Sequence, residues 1–269
     1  MAIQEAETEH QPILVDRRGH IGVVTFNNPA KHNAMSLDMW RGAREAVASF
    51  ADDDNIRCVV FTGAGNKAFV AGADISKFEN ERSSVTHIEA YNKAVSEYHR
   101  SVQNLMKPTI ARIDGYCIGG GLAIALDADI RIASDDSRYA VPAAKLGIGY
   151  VFEGIRRLYD IVGPAFVAEI FYTARQFDAE EARIMGLVNR VVPKAELDDV
   201  VWPLAERIAG NAPLSVQAVK ASLIELAKPQ AEWDLAKPEA AVRKCFDSND
   251  YKEGRTAFME KRKPVFTAS

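Results

Sequence analysis

Two glycine-rich stretches of the chain have the residue types needed to bind a developing negative charge. The first is AFVAGADI at residues 68–75, and the second is GYCIGGGLAIALDADIRIAS at residues 115–134. Each places small residues where a strand passes into a turn or helix, so backbone N–H groups there are not shielded by side chains. Two such N–H groups directed at one point would form a hole for the oxyanion of a transition state.

The elements that must position these stretches are predicted by short runs rich in β-branched residues. These runs are bounded by Gly, Pro, Asn or Asp and lie at residues 20–26, 58–63, 109–115, 129–134 and 187–192. Helical patterns separate the runs, which favours the α/β class. The longest pattern, over 83–106, predicts an inward stripe of Val85, Ile88, Tyr91, Val95, Tyr98, Val102 and Leu105. From about residue 193 the pattern is almost entirely helical.

Polar residues mark helix starts in three places. Ser36 is placed to cap a helix that follows it. Asp178 with Glu181 has the spacing of a capping box. A further helix is expected to begin near Phe152, which puts Glu153 in its first turn, where a carboxylate complements the helix dipole.

Composition excludes several classes of function. The 269 residues carry 33 Lys and Arg against 37 Asp and Glu, a net charge of −4, so no basic field points to nucleic acid. No apolar run approaches the roughly 18 residues of a membrane span. The three cysteines and five histidines lack metal-ligand spacing, and the cysteines favour a reducing compartment. The acidic start has no signal-peptide pattern, so a cytoplasmic location is expected.

Six blocks of the chain, in order and spacing, resemble the crotonase superfamily, which includes enoyl-CoA hydratases and isomerases. They lie at residues 27–36, 68–75, 107–133, 146–158, about 171–192 and 260–266, and the likeness runs from about residue 12 to 266. The resemblance implies an α/β fold: a spiral of ββα turns with a C-terminal helical trimerisation region. It also implies a CoA thioester as ligand, whose reactions pass through an enolate or a tetrahedral oxyanion.

The resemblance divides the chain into three parts. Residues 1–11 are expected to be a flexible tail, 12–195 the spiral core with the acyl-CoA site, and 196–269 a helical oligomerisation region. The implied assembly is a homotrimer or a hexamer built as a dimer of trimers. Neither nucleic acid nor membrane is an expected partner, and no metal or cofactor is implied other than the coenzyme A of the substrate.

Site residues follow from matching the family's motifs to this chain. The N–H groups of Ala73 and Gly120 would be the two oxyanion donors, with Gly120 at a helix start where the dipole also favours negative charge. The binding groove for coenzyme A would include Ala34, Ala71, Ala73, Asp74, Ile75 and, reaching from a neighbouring subunit, Lys261. Asp74 is expected mainly to order its loop.

The chain departs from the family's hydratases at the residues that move protons. Those enzymes use two glutamates, one to activate water at Cβ and the other to handle the proton at Cα. Here the matching positions are Ala123 and Ala143, so hydration by that mechanism is in doubt. Tyr150, which matches a tyrosine of the family's methylmalonyl-CoA decarboxylases, and Glu153 are the remaining candidates for catalysis.

Several functions therefore stay open at the level of sequence. The chain could be an enoyl-CoA hydratase or isomerase, or a decarboxylase of the methylmalonyl-CoA type. The decarboxylases have a histidine where this chain has Ala73, which weakens that alternative. A protein that binds acyl-CoA without turning it over is the alternative from a different class.

Overall fold

The computed structural model of the chain describes residues 11–77 and 84–269 and contains two β-sheets. The strands of the larger sheet are β1 (Ile13–Arg18), β2 (Ile21–Phe26), β3 (Cys58–Gly63), β5 (Thr109–Ile113), β7 (Ile130–Ser134) and β10 (Arg190–Val192). Those of the smaller sheet are β4 (Ala68–Val70), β6 (Tyr116–Ile118), β8 (Arg138–Ala140) and β9 (Phe177–Asp178). The predicted tail lies outside the described residues, apart from Gln11.

Both sheets are mainly parallel and are built by the same repeated unit. The large sheet has the order β1-β2-β3-β5-β7-β10 and is antiparallel only between β1 and β2. The small sheet has the order β4-β6-β8-β9. Three consecutive pairs of strands, β3/β4, β5/β6 and β7/β8, are divided between the sheets. In each pair the first strand lies in the large sheet and the second in the small one. A helix follows each pair, so the spiral of ββα turns is confirmed.

The helices lie between and beside the sheets. The helices of the core are α1 (Leu37–Ala51), α2 (Val85–Gln103), α3 (Gly120–Asp127), α4 (Ala143–Leu146), α5 (Phe152–Thr173) and α6 (Ala179–Ile184). Those that follow are α7 (Leu197–Ala209), α8 (Pro213–Leu226), α9 (Ala236–Asp247) and α10 (Asn249–Glu260). No helix of the described residues is both long and apolar enough to cross a bilayer.

The three predicted helix starts are confirmed. The side chain of Ser36 accepts a hydrogen bond from the N–H of Met39 at the start of α1. Asp178 and Glu181 make both bonds of a capping box at the start of α6. Helix α5 begins at Phe152, as expected.

The inward stripe predicted for the long helix is wrong in its first turn. Val85 and Ile88 are exposed, whereas Tyr91, Tyr98 and Val102 are buried. The buried stripe starts at Tyr91, where the phenol accepts a hydrogen bond from the indole N–H of α1. The first turn of α2 extends beyond that contact, so its apolar side chains face outward.

Two clusters of buried side chains form the core. The larger lies between the two sheets and helices α1, α2, α3 and α5. The smaller lies between the other face of the large sheet and α7, which contributes Leu197, Val201, Ala205 and Ala209. Helix α7 thus packs on the sheet although it lies beyond residue 195. The division of the chain at residues 195 and 196 stays a prediction.

Candidate functional site

The loop before α1 is joined to the loop after β4 by backbone hydrogen bonds. The N–H of Met35 donates to the carbonyl of Gly72 at 2.8 Å, and the N–H of Asp74 donates to the carbonyl of Met35 at 2.9 Å. A third bond runs from the N–H of Ala71 to the carbonyl of His32 at 3.0 Å. These bonds gather five of the six residues expected to line the groove: Ala34, Ala71, Ala73, Asp74 and Ile75.

Asp74 holds this loop with its side chain. The buried carboxylate accepts bonds from the N–H and hydroxyl of Ser76 at 3.1 and 2.6 Å, and from the ammonium of Lys31 at 2.9 Å. Burial alone would raise the pKa of Asp74, but these hydrogen bonds and the Lys31 charge outweigh it and lower the pKa. A carboxylate held in this way fits the loop-ordering role expected for Asp74.

The glycine triplet begins α3 in a geometry that requires glycine. Gly119 has φ +54° and ψ −113°, a backbone conformation that side chains disfavour. A Cβ added at Gly121 would lie 1.9 Å from the carbonyl oxygen of Val70. The helix can therefore approach strand β4 this closely only because residue 121 has no side chain.

The two predicted oxyanion donors come from neighbouring backbone. A Cβ added at Gly120 would lie 3.9 Å from the carbonyl carbon of Gly72, the atom bonded to the nitrogen of Ala73. Within residues 11–77 and 84–269, neither the N–H of Ala73 nor that of Gly120 donates a hydrogen bond. Both amides are thus unengaged, and the carbonyl carbon bonded to the nitrogen of Ala73 lies beside Gly120 at the start of α3.

Comparisons with known proteins match nearly the whole chain. The model of the family described as "Enoyl-CoA hydratase/isomerase" matches residues 16–269. The chain belongs to this family.

The relatives of this chain within the family are named after different reactions. The "Short-chain-enoyl-CoA hydratase" of Clostridium acetobutylicum is 36% identical over 253 residues, 93% of this chain and 95% of that protein. The "Carnitinyl-CoA dehydratase" of Escherichia coli strain K12 is 36% identical over 265 residues, 95% of this chain and 98% of that protein. An "enoyl-CoA hydratase/ carnithine racemase" structure from Magnetospirillum magneticum has a TM-score of 0.91 and 38% identity, covering 96% of each chain.

In this member of the enoyl-CoA hydratase/isomerase family, two alanines lie beside the triplet. Ala123 is half-buried on α3, one turn after Gly120, and Ala143 is buried at the first residue of α4. A methyl group can neither accept nor donate a proton. Any proton transfer at this place must therefore use another group.

Tyr150 is the predicted catalytic side chain that the structure brings to the triplet. Its hydroxyl oxygen would lie 3.9 Å from a Cβ added at Gly119. Its ring packs edge-on against Phe171 with centroids 5.0 Å apart, which fixes its orientation. Burial raises the pKa of Tyr150, so at neutral pH the side chain is a hydroxyl that can donate a hydrogen bond.

Glu153 and Lys261 are not brought into contact with these groups. Glu153 is exposed in the first turn of α5, and Lys261 is exposed where α10 ends. Neither side chain makes a hydrogen bond or ion pair in the part of the chain that the structure describes. At the first turn of α5, the carboxylate of Glu153 complements the helix dipole. This is the non-catalytic interpretation of the residue.

A polar cluster behind α3 was missed by reasoning from the sequence. The imidazole of His99 on α2 is hydrogen-bonded to the carboxylate of Asp127 on α3. The two residues are 28 positions apart, so no local spacing in the sequence connects them. The one available signal was an aspartate within the otherwise apolar run LAIALDA. Residues 11–77 and 84–269 contain no group of three His, Cys, Asp or Glu placed to hold a metal.

Proposed function

We propose that this chain is an acyl-CoA enzyme that stabilises a thioester enolate between the N–H groups of Ala73 and Gly120. The observation that supports this most is that both amides are unengaged, with the backbone of Gly72 beside Gly120 and the hydroxyl of Tyr150 beside Gly119. An enolate oxygen at that point would accept two backbone hydrogen bonds and lie at the positive end of α3. Family membership supports a CoA thioester as the source of the enolate.

Of the reactions left open, decarboxylation of a 2-carboxyacyl-CoA of the methylmalonyl-CoA type asks least of the missing acids, although this chain has Ala73 where those decarboxylases have a histidine. The bond from Cα to the carboxylate breaks, carbon dioxide leaves, and the electron pair moves into the thioester carbonyl held by the amides. The Tyr150 hydroxyl then protonates Cα and regains its proton from water. This sequence needs a proton donor at neutral pH and no pair of carboxylates, which agrees with Ala123, Ala143 and the raised pKa of Tyr150.

Hydration is the second candidate, and the relatives named hydratase and dehydratase favour it. It would need water activated without the two usual glutamates.

Isomerisation would need a carboxylate such as Glu153 to move into the site. A protein that binds acyl-CoA without turnover would use the same amides, and calorimetric titration with acetyl-CoA beside the turnover assays distinguishes it.

Coenzyme A is proposed to lie along the joined loops that contain Ala34, Ala71, Asp74 and Ile75. Ile75 is exposed and Ala71 is half-buried there, whereas Ala34 and Asp74 are buried. Lys261 is exposed and could meet a phosphate of coenzyme A bound to a neighbouring subunit. No further cofactor and no metal enters the proposed reaction.

The C-terminal helices are proposed to form a homotrimer, alone or within a hexamer. Helices α8, α9 and α10 and the segment after them expose the apolar residues Leu223, Leu226, Val242, Phe246, Phe258, Met259 and Val265. Burial of such residues between subunits would contribute roughly 25 cal/mol per Å². We expect size-exclusion chromatography with light scattering to give three or six times the chain mass of 29.6 kDa. A monomer would contradict the proposal.

The reaction is tested by offering methylmalonyl-CoA, crotonyl-CoA and a 3-enoyl-CoA to the protein. We expect methylmalonyl-CoA to be decarboxylated, and Tyr150→Phe to lower kcat by about 100-fold or more with little change in KM, because a general acid is lost. Glu153→Gln should have little effect. Tyr159→Phe, at an exposed tyrosine of α5, is the matched control. Rapid hydration of crotonyl-CoA that survives both Tyr150→Phe and Glu153→Gln would contradict this assignment.

A further inference from the structure

Asp127, the last residue of α3, places a carboxylate inside the core behind the proposed oxyanion site. Its side chain is only 2% exposed. Asp127 follows Gly120 and Ala123 at helical spacing, so the three residues lie on one face of α3. A carboxylate at a helix C-terminus opposes the dipole, and one buried in the core needs compensation.

His99 supplies that compensation from the facing helix. One ring nitrogen is hydrogen-bonded to Asp127, and Gln103, one turn further along α2, donates to the same carboxylate at 2.8 Å. Burial opposes protonation of His99, but the charge and hydrogen bond of Asp127 outweigh burial and raise the pKa of His99. Below the ordinary histidine pKa of about 6.5, the protonated His99 and the Asp127 carboxylate form a pair with no net charge.

The same pair is connected to Gly120 through one aromatic side chain. The ring of Trp40 has its centroid 5.5 Å from that of His99, and its Cζ2 atom would lie 3.7 Å from a Cβ added at Gly120. Trp40 is itself held by a 3.0 Å hydrogen bond from its indole N–H to the hydroxyl of Tyr91. The ring of Trp40 therefore connects His99, and through it Asp127, to Gly120, the proposed oxyanion donor.

In the part of the chain that the structure describes, the other cations around the pair bond groups other than the Asp127 carboxylate. Arg157 of α5 donates to the carbonyl of Leu126 at 3.0 Å, and Arg131 of β7 donates to the carbonyl of Ala128 at 2.6 Å. Both guanidiniums complement the C-terminal end of α3. On the side of α1, Arg44 pairs with Glu97 of α2 at 4.0 Å. The buried phenol of Tyr98 lies in the field of Asp127, which with burial raises its pKa, so it remains neutral.

We propose that His99 and Asp127 act as a charge-compensating positioning pair that sustains binding of the enolate oxygen at Gly120. The inference rests on the function proposed above. With His99 protonated, the C-terminal end of α3 carries no uncompensated negative charge that would repel an enolate at its other end. When His99 loses its proton, Asp127 stays buried and its charge opposes the enolate.

The expected size of the effect follows from the length of α3. Seven residues at 1.5 Å each separate Gly120 from Asp127, so the two charges would be about 10 Å apart. At an effective dielectric constant of about 20, this repulsion weakens enolate binding roughly tenfold. An effect of this size is smaller than that of losing an amide donor and is measurable by spectroscopy.

The direction with pH follows from the raised pKa of His99. The stabilising contribution of the pair is complete below the pKa of an unfolded histidine, about 6.5, and is lost as pH rises through the higher folded pKa. Enolate binding at Gly120 should decline over the same interval. A variant without charge on either residue should lack this decline.

The experiment uses acetoacetyl-CoA, whose enolate has its own ultraviolet absorption, as a probe that requires no turnover. We expect His99→Gln to bind roughly tenfold less enolate than the wild type at low pH, because Asp127 is left uncompensated. The double variant His99→Gln/Asp127→Asn should recover most of this loss. The ratio of wild type to double variant should fall roughly tenfold as pH rises through the His99 pKa.

A control separates charge compensation from general destabilisation. Lys228→Gln removes a cation from the buried carboxylate of Glu225 in the C-terminal region, 2.6 Å away, and should leave the bound enolate fraction unchanged. A double variant as weak as His99→Gln, or a pH-independent ratio, would overturn the inference. If the wild type forms no bound enolate at all, the proposed function fails instead.

Discussion

Replacement of Ala73 by proline is expected to lower kcat by two to three orders of magnitude on whichever thioester the wild type turns over. Proline has no backbone N–H, so one of the two proposed oxyanion donors is removed. Loss of one such donor typically costs about 3–4 kcal/mol of transition-state stabilisation. KM should change much less than kcat, because the charge on the oxygen develops only in the transition state.

The structure shows that the amide removed by this substitution is not part of the bridge between the loops. The bridge between the two loops uses the carbonyl of Gly72 and the N–H of Asp74, and the N–H of Ala73 takes no part in it. Ala73→Gly, which retains the amide, is the matched control and should keep most of the activity. Thermal unfolding should show both variants folded. Equal kcat values for the proline and glycine variants would contradict the role of this amide.

Replacement of Gly121 by alanine is expected to destabilise the fold by about 3 kcal/mol or more. The added Cβ would lie 1.9 Å from the carbonyl oxygen of Val70, and a strand backbone cannot move aside as a flexible side chain can. Overpacking of a well-packed core usually costs about 1–3 kcal/mol, and contact with fixed backbone belongs at the upper end or beyond. Denaturant unfolding monitored by circular dichroism measures the change in free energy.

The neighbouring glycine provides the comparison for this prediction. A Cβ at Gly120 would meet Trp40 at 3.7 Å, an ordinary van der Waals contact. Gly120→Ala should therefore change the free energy of unfolding far less than Gly121→Ala, although its effect on activity is a separate matter. Similar stabilities of the two variants would show that α3 is not held against β4 as described.

Reasoning from the sequence succeeded where a local pattern has a local cause. Ser36 and Asp178 were predicted as caps because their side-chain oxygens bond N–H groups only three residues away. The strands that begin at Cys58 and Thr109 were predicted because runs rich in β-branched residues there end in turn residues. Reasoning from the sequence failed for Val85 and Ile88, which are exposed. Apolar periodicity indicates one face of a helix but not how far along that face the neighbouring element packs.

The sequence by itself determined the family, the helix starts and the absence of acids at residues 123 and 143, because each is a matter of residue type and spacing. Only the tertiary structure decided that the backbone of Gly72 lies beside Gly120 and that the hydroxyl of Tyr150 lies beside Gly119, whereas the side chain of Glu153 is exposed. It likewise brought together His99 and Asp127, from two different helices. Contacts between residues distant along the chain depend on how elements pack, and one sequence does not encode that packing as a readable pattern.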